Sequence, residues 1–165
     1  MGTYRAAVIT ASDKGSEGLR EDKSGRIVFE MLVEAGYEVV SRSILPDERD
    51  KLSAAMLKLC DSGKIDLIVT TGGTGFSPRD YTPEATLDIC HRQAPGLAEL
   101  MRAEGLKKTP RAMLSRGVAA IRGRTLIINL PGSPKGASEN LGAVLPILDH
   151  GLEVLTDKGG ECAQP

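Results

Sequence analysis

The sequence carries almost no net charge: 21 lysines and arginines stand against 22 aspartates and glutamates, a balance of −1. That balance excludes a general attraction for nucleic acid or an anionic bilayer and leaves only local patches open. Cysteine is scarce as well. Cys60, Cys90 and Cys162 share no paired metal-ligand spacing, and their odd number argues against a disulfide framework, which fits a reducing cytoplasm. The opening MGTYRAAVITASD lacks the long apolar run and cleavage site of a secretory signal, and no later run reaches membrane-spanning length. Internal repeats, linkers and low-complexity tracts are missing too. A serine hydrolase has little support, because there is no Gly-x-Ser-x-Gly elbow.

What is present describes a folded chain. Hydrophobic residues make up 41% and charged residues 26% of 165 positions, enough for one domain that buries roughly two-thirds of the surface of its unfolded chain. The expected organisation is a single domain over 1–158 and a flexible tail over 159–165.

Short continuous apolar runs alternate with helical spacing along the chain. Residues 4–12 (YRAAVITAS) predict a buried strand, and after a charged, glycine-containing segment Ile27, Val28, Met31, Leu32 and Ala35 share one helix face that Gly36 stops. Residues 37–45 predict a second strand, ended by Pro46. A helix from near Asp47 then places Leu52, Met56, Leu59 and Cys60 on one stripe, with Gly63 just beyond. DLIVTT (66–71) is apolar without alternation, which implies burial on both faces of a mainly parallel sheet covered by helices. Thr82, Pro83 and Glu84 read as a helix start with Thr82 as N-cap. Ala94-Pro95-Gly96 interrupts before a helix with Leu97, Leu100 and Met101, and residues 118–130 split at Gly123 into two neighbouring strands. A last helix from Lys135 carries Leu141, Leu145, Leu148, Leu152 and Leu155, and Pro146 is expected to kink or divide it. His91 and His150 read as surface residues that offset helix C-terminal dipoles.

In an open α/β sheet, ligands bind outside the carboxyl ends of the strands. Four segments fall at such ends: Ser12-Asp13, Pro46-Asp47-Glu48, Gly72-Gly73-Thr74-Gly75 and Pro131-Gly132-Ser133-Pro134. The glycine cluster is not a P-loop, for Gly-Lys-Ser/Thr does not follow at the right spacing. It is not a dinucleotide fingerprint either, since Pro78 stands where a third glycine is required. The physics those motifs share survives: backbone N–H groups without a Cβ in the way approach an anion closely, and Thr74 and Ser77 add hydroxyls. A tight turn is the plainer use of such glycines. Asp47 and Asp80 beside this loop suit a Mg²⁺ ion shared with substrate phosphates, with Asp13 a candidate third carboxylate. Each acid also has a common structural use: Asp47 as an N-cap, Asp80 in a turn, Asp13 capping its own loop. Lys14, Lys23, Arg79 and Lys135 are candidate partners for phosphate.

These segments carry a resemblance. SDKGSEG with EDKSG, then LPDE, TTGGTGFSPRDYTPEAT, LSR (114–116) and NLPGSPK (129–135), in this order over nearly the whole chain, look like the molybdopterin adenylyltransferase family of molybdenum-cofactor biosynthesis, which includes the G domain of gephyrin. The resemblance implies a three-layer α/β/α fold with a mostly parallel central sheet, commonly a homotrimer. It also implies transfer of AMP from Mg-ATP to the phosphate of molybdopterin with release of pyrophosphate. Asp47 and Asp80 match the family's essential acidic positions and its expected metal-binding, catalytic pair. Gly72, Gly73, Thr74 and Gly75 match its phosphate loop, Asp13 its acid after the first strand, and Ser115, Pro131, Gly132, Ser133 and Pro134 segments that contact pterin or nucleotide. Tyr81 departs from the valine more familiar there. Implied partners are molybdopterin, ATP and, transiently, a molybdate-inserting enzyme, with neither nucleic acid nor membrane. Two rivals stand beside this: a non-catalytic molybdopterin-binding module, which has no need of both acids, and a relative of the same fold acting on another nucleotide.

Overall fold

The computed structural model describes residues 4–157. The tail expected over 159–165, and Cys162 with it, lies outside the described residues. Six strands form one sheet in the order β2-β1-β3-β6-β5-β4. β1 (Arg5–Ala11), β2 (Glu38–Leu45), β3 (Leu67–Thr71) and β6 (Thr125–Leu130) are parallel; β5 (Ala119–Arg122) is antiparallel to β6, and the two-residue β4 (Arg92–Gln93) antiparallel to β5. The helices are α1 (Asp13–Ser16), α2 (Lys23–Glu34), α3 (Arg49–Asp61), α4 (Thr82–Ile89), α5 (Pro95–Leu106) and α6 (Pro134–Thr156), with a short 3₁₀ turn at Pro110–Leu114.

Side-chain alternation along the central strands builds the three layers. Ala6 and Val8 of β1, Leu67 and Val69 of β3, and Leu126 and Ile128 of β6 pack on α2, α5 and α6. Their neighbours Ala7, Ile9, Ile68 and Ile127 pack on α3 and α4 through Leu52, Met56 and Ala85. Every residue of β3 is buried, as its unbroken apolar run predicts for a strand covered on both faces.

Several expectations are corrected. Pro146 does not divide the last helix, since α6 continues through it. Pro146 and Gly142 both lie on the exposed side, where water can meet the carbonyl left without its donor. His150 therefore sits inside α6 and not at a helix end. Thr82 is not an N-cap: it is the first residue of α4, its N–H donates to the Gly73 carbonyl at 3.1 Å, and its buried hydroxyl has no hydrogen-bond partner among the described residues. Asp47 does not cap α3 either, because that helix begins at Arg49 after Glu48. β4, α1 and the 3₁₀ turn were not anticipated; each is too short to show a period.

Cys60 is buried, and that burial pushes its thiol up to about 11, whereas Cys90 is partly exposed. At pH 8 only about one Cys60 in 10³ is thiolate. Iodoacetamide at that pH is expected to modify Cys90 and spare Cys60 in peptide mass mapping of the folded protein; equal labelling contradicts the packing described.

Candidate active site

Because β1, β2, β3 and β6 are parallel, their carboxyl ends share one rim. The chain reverses its direction of sheet growth between β1 and β3, so the crevice that such a switch opens lies there. All four segments picked out at strand ends meet on this rim. Gly72 is the pivot. Its N–H donates to the Leu130 carbonyl at 3.1 Å. A Cβ on Gly72 would stand 2.3 Å from the Ala11 carbonyl oxygen, and one on Gly132 would stand 3.2 Å from the Gly72 Cα. Backbones from the ends of β1, β3 and β6 are thus in direct contact, and the chain leaves β3 through the left-handed region at Gly72 (φ 95°) and Gly73 (φ 65°).

The acids flank that turn. Asp47 and Asp13 hold each other: the Asp13 N–H donates to Asp47 Oδ2 at 3.0 Å and the Asp47 N–H to Asp13 Oδ1 at 3.0 Å. Arg79 grips Asp13 with two bonds, Nε to Oδ2 at 2.8 Å and Nη2 to Oδ1 at 2.7 Å. Hydrogen bonds from Arg79 hold the Asp13 carboxyl below the usual carboxylate range. Asp47 moves the other way, pushed up chiefly by burial and further by the charges of Asp13 and Asp80. Asp80 Oδ2 accepts the Ser77 N–H at 3.0 Å. Asp47 Oδ1 and Asp80 Oδ1 accept no hydrogen bond among the described residues. The first stands 3.3 Å from where a Gly73 Cβ would be, and Asp80 Oδ2 stands 2.9 Å from a Gly75 Cβ. Two carboxylates with free lone pairs beside a phosphate-sized turn are a donor set that fits Mg²⁺, which takes few protein ligands and completes its shell with water and phosphate. Among the described residues no three acids, histidines or cysteines group around one point, and Asp13 is spoken for by Arg79.

Two cavities open on the rim. The larger, about 770 Å³, lies between the ends of β1 and β3 and the start of α2, and includes Thr10, Asp22, Lys23, Asp47 and Gly72. The smaller, about 500 Å³, is walled by Thr74, Gly75, Ser115, Pro131 and Asn140. They adjoin at Gly73, Asp80, Gly132 and Ser133, which line both. Pro134 borders the larger cavity. Of the twelve site residues expected from the sequence, only Asp13 borders neither cavity. Lys23 lines the larger one, while Lys14 and Lys135 line neither and Arg79 is committed to Asp13.

Helix N-termini converge on the same place. Ser133 caps α6, its hydroxyl accepting the Gly136 N–H at 3.1 Å, and Asp22 caps α2 through the Gly25 N–H at 2.9 Å. Their partial positive charge favours an anion on the rim and offsets the acids. Asp22 was overlooked in the sequence. Its Oδ1 also takes the Thr10 hydroxyl at 3.0 Å, and its enclosed Oδ2 has no partner among the described residues. The Asp-Lys-Ser-Gly spacing at 22–25 is an N-cap signature that was there to be read. Arg116 and Glu84 lie within blocks already quoted, but their pairing across 32 residues has no local signal.

Residues 7–150 match the family model described as a probable molybdopterin binding domain. The chain is 44% identical over 162 residues to a molybdopterin adenylyltransferase of Helicobacter pylori, covering 94% of this chain and 89% of that one. It is 40% identical over 147 residues to the molybdopterin adenylyltransferase of Escherichia coli K12, covering 87% and 75%. In structure it is similar to the molybdopterin biosynthesis enzyme MoaB of Thermus thermophilus, with a TM-score of 0.90 and 50% identity over 96% of this chain and 100% of that one.

Proposed function

The chain belongs to the probable molybdopterin binding domain family, and from that premise we propose that it is a molybdopterin adenylyltransferase, a nucleotidyltransferase of molybdenum-cofactor biosynthesis. It transfers AMP from Mg-ATP to the terminal phosphate of molybdopterin. The observation that carries this reading is the pair of cavities that adjoin at Gly73, Asp80, Gly132 and Ser133. A reaction between two phosphate-bearing molecules needs one compartment for each, with the phosphates side by side, and the shared wall is the glycine turn.

An oxygen of the molybdopterin phosphate attacks the α-phosphorus of ATP. One P–O bond forms, the bond to the β-phosphate oxygen breaks, and pyrophosphate leaves with that electron pair. The chain supplies no nucleophile. Backbone N–H groups of the 73–75 turn and the N-terminus of α6 hold phosphate oxygens, and the two compartments fix the approach. Asp47 and Asp80 would hold Mg²⁺, which neutralises charge on the phosphates when bound. Arg79 keeps Asp13 ionised and paired, and Asp13 in turn orients Asp47 by their reciprocal bonds.

A pH dependence follows. An acid must be ionised to hold a cation, and burial has raised the Asp47 carboxyl. Turnover should therefore fall on the acid side at a higher pH than an ordinary carboxylate sets, since below that point protons compete with metal. Raising Mg²⁺ should move this acid limb to lower pH; a limb that ignores Mg²⁺ contradicts the assignment.

The protein is further proposed to act in the cytoplasm as a homotrimer and to pass its product to a molybdate-inserting enzyme. Among the described residues no helix is long and apolar enough to cross a membrane. The test of the function is direct: purified protein with molybdopterin, ATP and Mg²⁺, following adenylated molybdopterin by mass and pyrophosphate release. Tight binding of molybdopterin with no adenylated product from any nucleotide would instead make the chain a binding module.

A further inference from the structure

We propose that Arg116 is a positioning residue for AMP transfer: it staples the two ends of the loop that carries Asp80 and holds that carboxylate over the junction of the cavities. The inference rests on the activity proposed above.

The loop from Thr74 to Asp80 is exposed over much of its length and has little packing of its own. Phe76 is 70% exposed. Something must close it. The backbone N–H of Arg116 donates to the Thr74 carbonyl at 2.8 Å, and its Nε donates to the Gly75 carbonyl at 2.8 Å. Its Nη2 donates to the carbonyl of Asp80 itself, and its Nη1 to Glu84 Oε1 in the first turn of α4. One side chain thus ties the start of the loop, its end and the helix that follows. Within that frame the Asp80 N–H reaches the Ser77 carbonyl at 2.9 Å and the Ser77 N–H reaches Asp80 Oδ2, so the carboxylate direction is set by a loop whose ends Arg116 fixes.

The guanidinium is not a phosphate ligand. All three of its nitrogens are engaged with protein, and Arg116 lines neither cavity. The Glu84 carboxylate neutralises it, so a cation close to the metal acids does not compete with the metal for them. Arginine is needed because a planar fork can bind two carbonyls and a carboxylate at once, whereas lysine is a point charge.

Arg116→Ala and Arg116→Lys should lower kcat by about 10–100-fold, the usual consequence of losing a partner that orients a metal ligand, with KM for ATP changed little. The Mg²⁺ concentration for half-maximal rate should rise. In an Asp80→Asn background the same substitution should add almost no further loss, because it acts through Asp80. Amide exchange over residues 75–80 should accelerate in both Arg116 variants while the central strands stay protected. Full activity in Arg116→Ala, or an undiminished further loss in the Asp80→Asn background, overturns the proposal. If Arg116→Ala fails to fold, Arg116→Lys with native strand protection decides it. If the unsubstituted protein forms no adenylated product, the proposed function fails on its own, and unchanged exchange over 75–80 then overturns the staple independently.

Discussion

Asp80→Asn is expected to slow AMP transfer by at least about 10²–10³-fold while the protein unfolds at nearly the same temperature. Asparagine keeps the shape and an acceptor for the Ser77 N–H, so the loop retains its local bond. What it loses is the charge, and with it half of the pair that suits a divalent cation. The stability cost is small because Asp80 makes no salt bridge among the described residues and is only partly buried. Asp13→Asn makes an instructive contrast. It strips Arg79 of its bidentate partner but keeps the backbone N–H that holds Asp47 and leaves both metal acids in place, so its effect on turnover should be smaller. Single-turnover rates at saturating Mg²⁺ with parallel thermal melts separate the two. An Asp80→Asn protein within about threefold of the native rate, against the 10²-fold loss expected for a charge at the reacting centre, removes Asp80 from the mechanism.

The second large effect is on folding. Gly72→Ala should destabilise the protein by about 2–5 kcal/mol, the sum of a strained left-handed alanine and a forced contact in a packed site. The contact is with backbone: the new methyl would lie 2.3 Å from the Ala11 carbonyl oxygen, and no rotamer can relieve it. Relief requires the ends of β1 and β3 to part. Gly36→Ala is the control. It has a similar φ of 91° but nothing within 4 Å of its would-be Cβ, so it should cost only about 1 kcal/mol. Denaturant unfolding of the two variants isolates the close approach. Equal destabilisation would mean that Gly72 serves only its turn.

Much of this architecture was legible in the chain because it rests on local periodicity. The unbroken apolar run at 67–71 announced a covered central strand, and the strand ends followed from it. Once the strands are parallel, Asp47, Gly72–Gly75 and Pro131–Pro134 must share a rim whatever else the fold does. What could not be read depends on register between distant segments. Arg79 looked like a phosphate partner, yet it meets Asp13, 66 residues away in sequence. Arg116 reaches Asp80 across 36 residues from the LSR segment, in which the serine drew the functional reading. Pro146 does not divide α6 because it faces solvent, where water can reach the carbonyl left without a donor. Thr82 is suited to capping by type, yet it begins α4 with its N–H on the Gly73 carbonyl.

In the proposed mechanism two compartments meet over the glycine turn and the phosphates join there. A crystal structure of the protein with adenylated molybdopterin is the sharpest test of it. The nucleoside is expected in one cavity, the pterin in the other, and the phosphoanhydride between them, against Gly73, Asp80, Gly132 and Ser133. A product seated wholly in one cavity, with its phosphates away from Asp80, would contradict it.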